Sequence, residues 1–101
     1  MFKAMILLFR RDDMTADEFR TWWLDEHAPL AALLPGAKRV HFNVVADGGD
    51  DVPDGVSELW FESRDEFDAA YATDLGRRVA ADSMAHVRAR TRMFVEERPI
   101  V

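Results

Sequence analysis

Six consecutive apolar residues, Ala4–Phe9, stand near the start of the chain, and Arg10-Arg11-Asp12-Asp13 follows at once. The run is far short of the roughly 20 residues needed to cross a bilayer. It also lacks the small-residue cleavage site of a signal peptide. It has the length of a strand. A strand with apolar side chains on both faces needs cover on both sides, which places it in the middle of a sheet. A chain of 101 residues holds one hydrophobic core, so residues 1–101 read as a single domain built around this strand.

The rest of the chain alternates between helical and strand periods. Thr15 and Glu18 have the spacing of a capping box, and Met14 stands where it can staple onto Phe19. Helix one then runs from about Ala16, its apolar stripe carrying Phe19, Trp22, Trp23, His27, Leu30, Leu33 and Leu34. Pro29 implies either a break near His27 with a restart or a kink, and Pro35-Gly36 stops the helix. Strand two covers Ala37–Ala46, with His41 and Asn43 on the face opposite Val40 and Phe42. Asp47–Gly55 is a long turn-rich loop, expected to be mobile or to rim a site. Strand three covers Val56–Glu62. Ser63–Glu66 is a second capping box, opening a helix through Phe67, Ala70, Tyr71, Val79 and Val87 that Gly76 bends or interrupts. Strand four covers Arg90–Glu97, with Met93 and Val95 opposite Phe94 and Glu96.

The order β-α-β-β-α-β predicts a ferredoxin-like α+β layer of two helices on a four-stranded sheet. Two helices cover one sheet face only. The other face is expected to carry Met5, Leu7, Val40 or His41, Trp60 and part of strand four, an apolar surface that calls for cover. A second copy of the chain is the simplest cover, so the expected partner is itself, as a homodimer through the sheet faces.

The formal net charge of −6 and the lack of a basic stripe argue against nucleic acid and anionic membranes as partners. Arg88, Arg90 and Arg92 read as solvated positions between acidic neighbours. There is no cysteine, which removes disulfides and thiolate chemistry. The three histidines are dispersed without metal-ligand spacing. No glycine-rich phosphate loop or nucleophile elbow is present. The expectation is no cofactor, no metal and, by default, a cytoplasmic location.

Phe19-Arg20-Thr21-Trp22-Trp23 with His27-Ala28-Pro29 resembles the F-x-x-W/Y-W-x-x-x-H-x-P helix motif of the EthD-like proteins, named for a component of ethyl tert-butyl ether degradation. Pro35-Gly36, Asn43, Asp54–Phe61, Ala81-Asp82 and Glu96-Glu97 agree in order, so the resemblance spans nearly the whole chain. It implies a ferredoxin-like protomer dimerised through its sheets into a dimeric α/β barrel. It leaves the reaction open. Similar proteins include a methylmuconolactone methylisomerase, fungal dehydratases and decarboxylases of aromatic polyketides, cofactor-free monooxygenases and haem-dependent enzymes.

His27 and Asp82 are the candidate catalytic residues. His27 lies four after Trp23, and an imidazole can give or take a proton near neutral pH. The alternative is a helix-end histidine satisfied by a carbonyl, Asp25 or Glu26. The resemblance favours Asp82 for a site role. By spacing alone, Asp82 stands four before His86 and can orient that imidazole, or it can pair with an arginine. His41 and Asn43 are candidates for holding a ligand oxygen, or they are polar rim positions. Glu58 shares a strand face with Trp60, where shielding would raise its pKa and make it a base; a solvated strand end is equally open. Trp23 and Trp60 are candidate walls for a flat apolar ligand, and packing is the competing role. The functions in competition are a cofactor-independent enzyme (isomerase, dehydratase or monooxygenase) acting on a small apolar or aromatic carbonyl or phenol substrate, a binding or accessory protein, and a structural homodimer.

Overall fold

The computed structural model describes residues 1–101. Its strands are β1 (Phe2–Arg10), β2 (Arg39–Val44), β3 (Gly55–Phe61) and β4 (Val87–Val95), antiparallel throughout and in the order β2-β3-β1-β4. The strand that is apolar on both faces is central, as its composition requires. Helices α1 (Ala16–Thr21), α2 (Ala28–Ala31), α3 (Arg64–Ala72) and α4 (Asp74–His86) complete the ferredoxin-like order. The expected closure into a barrel is not realised. The sheet is a single open one, because β2 and β4 lie at opposite edges and each has only one neighbouring strand.

Register decides which side chains meet the helices, since paired residues share a face. Ala4, Ile6 and Leu8 of β1 pair with Leu59, Ser57 and Gly55 of β3, and all six are buried. With Phe19, Trp22, Trp23, Phe61, Phe67 and Val79 they build the core between sheet and helices. Val40 joins this side and His41 points to the other, because Val40 pairs with Leu59 and His41 with Glu58.

Pro29 neither breaks nor simply kinks the first helical region. Between α1 and α2 the chain widens into a π-helical segment, Trp22–His27, in which the Ala28 N–H donates to the Trp23 carbonyl five residues back. Pro29 has no N–H to give to the carbonyl of Asp25, and its ring crowds that carbonyl. A wider turn relieves the crowding without losing the helix axis. Upstream, the Thr15–Glu18 capping box forms in both directions. Ser63 caps α3 by accepting from the Glu66 N–H at 3.2 Å.

The second helical region breaks at Thr73, three residues before Gly76. The Thr73 hydroxyl donates to the Ala70 carbonyl at 2.6 Å and accepts from the Gly76 N–H at 3.0 Å, ending α3 and capping α4 together. A Cβ on Gly76 would stand 2.2 Å from the Ala70 carbonyl oxygen, so only glycine lets the two helices approach so closely. α4 then ends at His86, and Val87, expected at the end of the helix, opens β4 instead.

Candidate functional site

The π-helical turn sets Trp22 and His27 on the same side, their ring centroids 5.0 Å apart, and both reach α4. His27 Nδ1 lies 2.8 Å from Asp82 Oδ2. Trp22 Nε1 donates to the same carboxylate, at 3.2 Å to Oδ2 and 3.4 Å to Oδ1. One residue of α4 is thus held by two residues of the first helical region. His27 is 5 % exposed and the Asp82 side chain 30 %, so the bond is shielded from water on its histidine side only.

His86 completes the group differently from the expectation. Its spacing suggested that the Asp82 carboxylate would orient it. Instead its Nδ1 lies 2.7 Å from the Asp82 backbone carbonyl, and the carboxylate is 3.6 Å away and turned to His27. Its ring stacks on Trp22 at 4.2 Å and 15°. The i, i+4 geometry that predicted a carboxylate partner also brings the ring over the helix's own carbonyl.

Burial pushes the His27 imidazole below its ordinary value of 6.5; the Asp82 bond and charge oppose this, and the Arg90 charge adds to the lowering. The neutral form is therefore favoured near pH 7. With Nδ1–H donating to Asp82, the lone pair is on Nε2. His27 lines a small, partly open cavity of about 20 Å³ between sheet and helices. The polar groups around it are Ser57, Tyr71, Ser83 and Arg90, and Ile6, Leu8, Phe42 and Leu59 supply apolar wall.

The other predicted residues separate into two places. Trp23 is fully buried in the core, stacked on Phe42 at 4.3 Å, with its ring so close to Gly55 that a Cβ there would lie 2.6 Å from it. It does not line the cavity, and its Nε1 is buried without a partner. His41, Asn43, Glu58 and Trp60 lie on the opposite face of the sheet, away from His27 and Asp82; for Trp60 this is the uncovered face on which it is expected. They form their own group around Lys3. Lys3 Nζ reaches Glu58 at 2.9 Å and Glu97 at 3.0 Å and sits 4.5 Å above the Trp60 ring. The Asn43 amide donates to Glu58 at 2.9 Å, and His41 meets Trp60 edge to face at 5.0 Å. The raised pKa expected for Glu58 is reversed. The Lys3 ammonium and the Asn43 amide hold its carboxyl below the ordinary range, because the indole brings a cation with it rather than an apolar wall.

The loop between β2 and β3 rims a different depression. A polar cleft of about 500 Å³ lies between this loop, Arg10, Arg11, Asp12 and Arg88, and it shares no lining residue with the histidine cavity. Asp54 anchors the loop, bonding the Arg10 guanidinium at 2.6 Å and its backbone N–H at 2.8 Å.

Sequence reasoning missed Arg90, Ser57 and Ser83. A signal for Arg90 was present. Met93 and Val95 turn to one face of β4, which leaves Arg90 and Arg92 with Phe94 on the other, and Arg90 pairs with buried Leu8. Nowhere in the molecule do three or more His, Asp or Glu side chains converge in a way that could hold a metal ion. No helix is long and apolar enough to cross a membrane.

Fold and site together define a ferredoxin-like α+β protein in which a buried histidine is paired with a half-buried carboxylate. The EthD domain matches residues 11–87, and the chain belongs to that family. Among solved structures, an EthD-family protein from Bacillus halodurans C-125 is 22 % identical, with a TM-score of 0.82 over 97 % of this chain and 100 % of that one. A dimeric ferredoxin-like protein of unknown function from Thermobifida fusca is 17 % identical, with a TM-score of 0.77 over 93 % and 88 %. SnoaB, a cofactor-independent oxygenase from Streptomyces nogalater, is 16 % identical, with a TM-score of 0.71 over 99 % and 95 %. No curated protein matches the sequence.

Proposed function

We propose that the chain is a small cofactor-independent enzyme whose chemistry begins with proton abstraction by His27. The observation that carries this reading is the Asp82–His27 bond of 2.8 Å, made by an imidazole whose burial favours the neutral form. Asp82 fixes the tautomer and stabilises the imidazolium that forms, and Nε2 takes the proton. The substrate is a small apolar or aromatic compound whose acidic C–H or O–H stands beside a carbonyl or is a phenol. Isomerisation, dehydration and cofactor-free oxygenation all open with this step, and the fold likeness to SnoaB supports the last.

A second reading has its own support. A cavity of about 20 Å³ is roughly the space of one water, which suits a structural or accessory role. Exchange of the α-hydrogens of small ketones with deuterated water separates the two. Under the enzyme reading the native chain accelerates exchange, and His27→Ala loses on the order of 10²–10⁴-fold while keeping its circular dichroism. Equal exchange by both proteins would sink the catalytic assignment.

The open sheet face supports the proposed homodimer. Met5, Leu7 and Phe9 of β1, Val56 of β3 and Met93 of β4 share it, none of them fully buried. The description of the Thermobifida fusca protein as dimeric points the same way. A cytoplasmic location belongs to this proposal as well.

A further inference from the structure

Arg90 is the one charged side chain that lines the histidine cavity without an opposite charge to meet it. Its Nε is buried and has no hydrogen-bond partner. The charges and dipoles it feels are those of Tyr71 and Arg92, with no carboxylate among them. Desolvation lowers its proton affinity, and its charge is felt at His27. The Asp82 carboxylate is engaged by His27 and Trp22. Arg90 itself is only partly buried, but an Nε kept out of water with its N–H unused is unfavourable.

The cavity is therefore rich in donors and poor in anions. Ser57, Tyr71 and Ser83 add hydroxyls to the Arg90 guanidinium. We propose that Arg90 is an anion-binding residue of this site and receives an oxyanion of the ligand. This deepens the reading of His27 as base. When Nε2 takes a proton from C–H or O–H, the electron pair stays on the substrate and settles on its oxygen, where the guanidinium meets it. A ground-state carboxylate and a developing enolate or phenolate present the same chemistry to Arg90.

Formate, the smallest carboxylate, tests the binding without requiring turnover, and formamide is its neutral counterpart. In the native protein, at ionic strength fixed with chloride, formate should shift the ¹⁵N–¹H signal of Arg90 Nε and raise the pKa of His27. Formamide should do neither. Arg90→Gln should weaken formate binding by about 10- to 100-fold, the worth of one charge-assisted hydrogen bond. Arg90→Lys keeps the charge and should bind in between, which guards against a misfolded glutamine variant. Formate and formamide acting alike, or formate leaving both signals unmoved, would overturn the proposal. The two oxyanion sources separate in ketone exchange. If Arg90 serves the developing enolate, Arg90→Gln lowers kcat for uncharged ketones; if it serves a ground-state carboxylate, only keto acids suffer, through KM. Formate binding without any exchange activity would uphold Arg90 and reject His27 as a catalytic base.

Discussion

At the scale of single residues, Asp82 carries the most consequence, because two side chains and a tautomer depend on one carboxylate. Asp82→Asn should lower turnover by on the order of 10²–10⁴-fold, since the amide can face Nδ1 with its NH₂ group and force the proton to Nε2. In the same variant the His27 pKa should fall further, because the bond and charge that oppose its burial are gone; a histidine NMR titration reads this directly. Stability should also respond to acid in two stages. His27 binds its proton less readily in the folded chain than in the unfolded one, so its contribution is present above pH 6.5 and is lost as pH falls from there through its lowered folded value. The Glu58 carboxyl is also depressed, so its contribution is present above 4.5 and is lost as pH falls through its folded value. Urea midpoints measured against pH should show the upper stage vanish in His27→Asn and the lower one shrink in Glu58→Gln. A profile unchanged by His27→Asn would mean the histidine is not held neutral.

At the scale of elements, the close approach of α3 and α4 is the tightest constraint. Gly76→Ala drives a methyl against the Ala70 carbonyl, backbone that cannot rotate away, and should cost about 3 kcal/mol by denaturant titration. Thr15→Ala, which removes one side of an exposed capping box, should cost only about 1 kcal/mol. Comparable losses would show that α3 and α4 can slide apart. Elements of this kind were largely legible in the sequence. Capping residues announce themselves by type and spacing, and the both-sides apolar run of β1 placed it centrally before any register was known. The π-helical turn was not legible, because Pro29 permits a break, a kink or a widening, and only packing against α4 chooses between them. The site was half legible for a related reason. His27 and Asp82 stand 55 positions apart, and their types and the family resemblance, not their spacing, joined them. Strand alternation puts His41 with Asn43 on one face, but it does not say whether that face meets the helices.

At the scale of the whole molecule, one sheet divides two polar groups of different character, the His27–Asp82 pair with Arg90 on the helix side and the Lys3–Glu58–Glu97 cluster on the open side. Leu7→Lys, in the middle of the open face, should convert a dimer into monomers in sedimentation experiments with the helix content unchanged. A native chain that sediments as a monomer would contradict the proposed homodimer. The division has a further consequence for β4, an edge strand held from one side only. Its residues alternate between the two compartments, so a slip of a single position would exchange their contents, sending Met93 among the histidines and Arg90 out to the partner's side. The irregularity where β4 pairs with Phe9 and Arg10 works against such a slip as a notch does in a sliding bolt. What keeps the proposed acid–base chemistry on one side and the proposed self-association on the other is thus a detent at the rim of the sheet, remote from both.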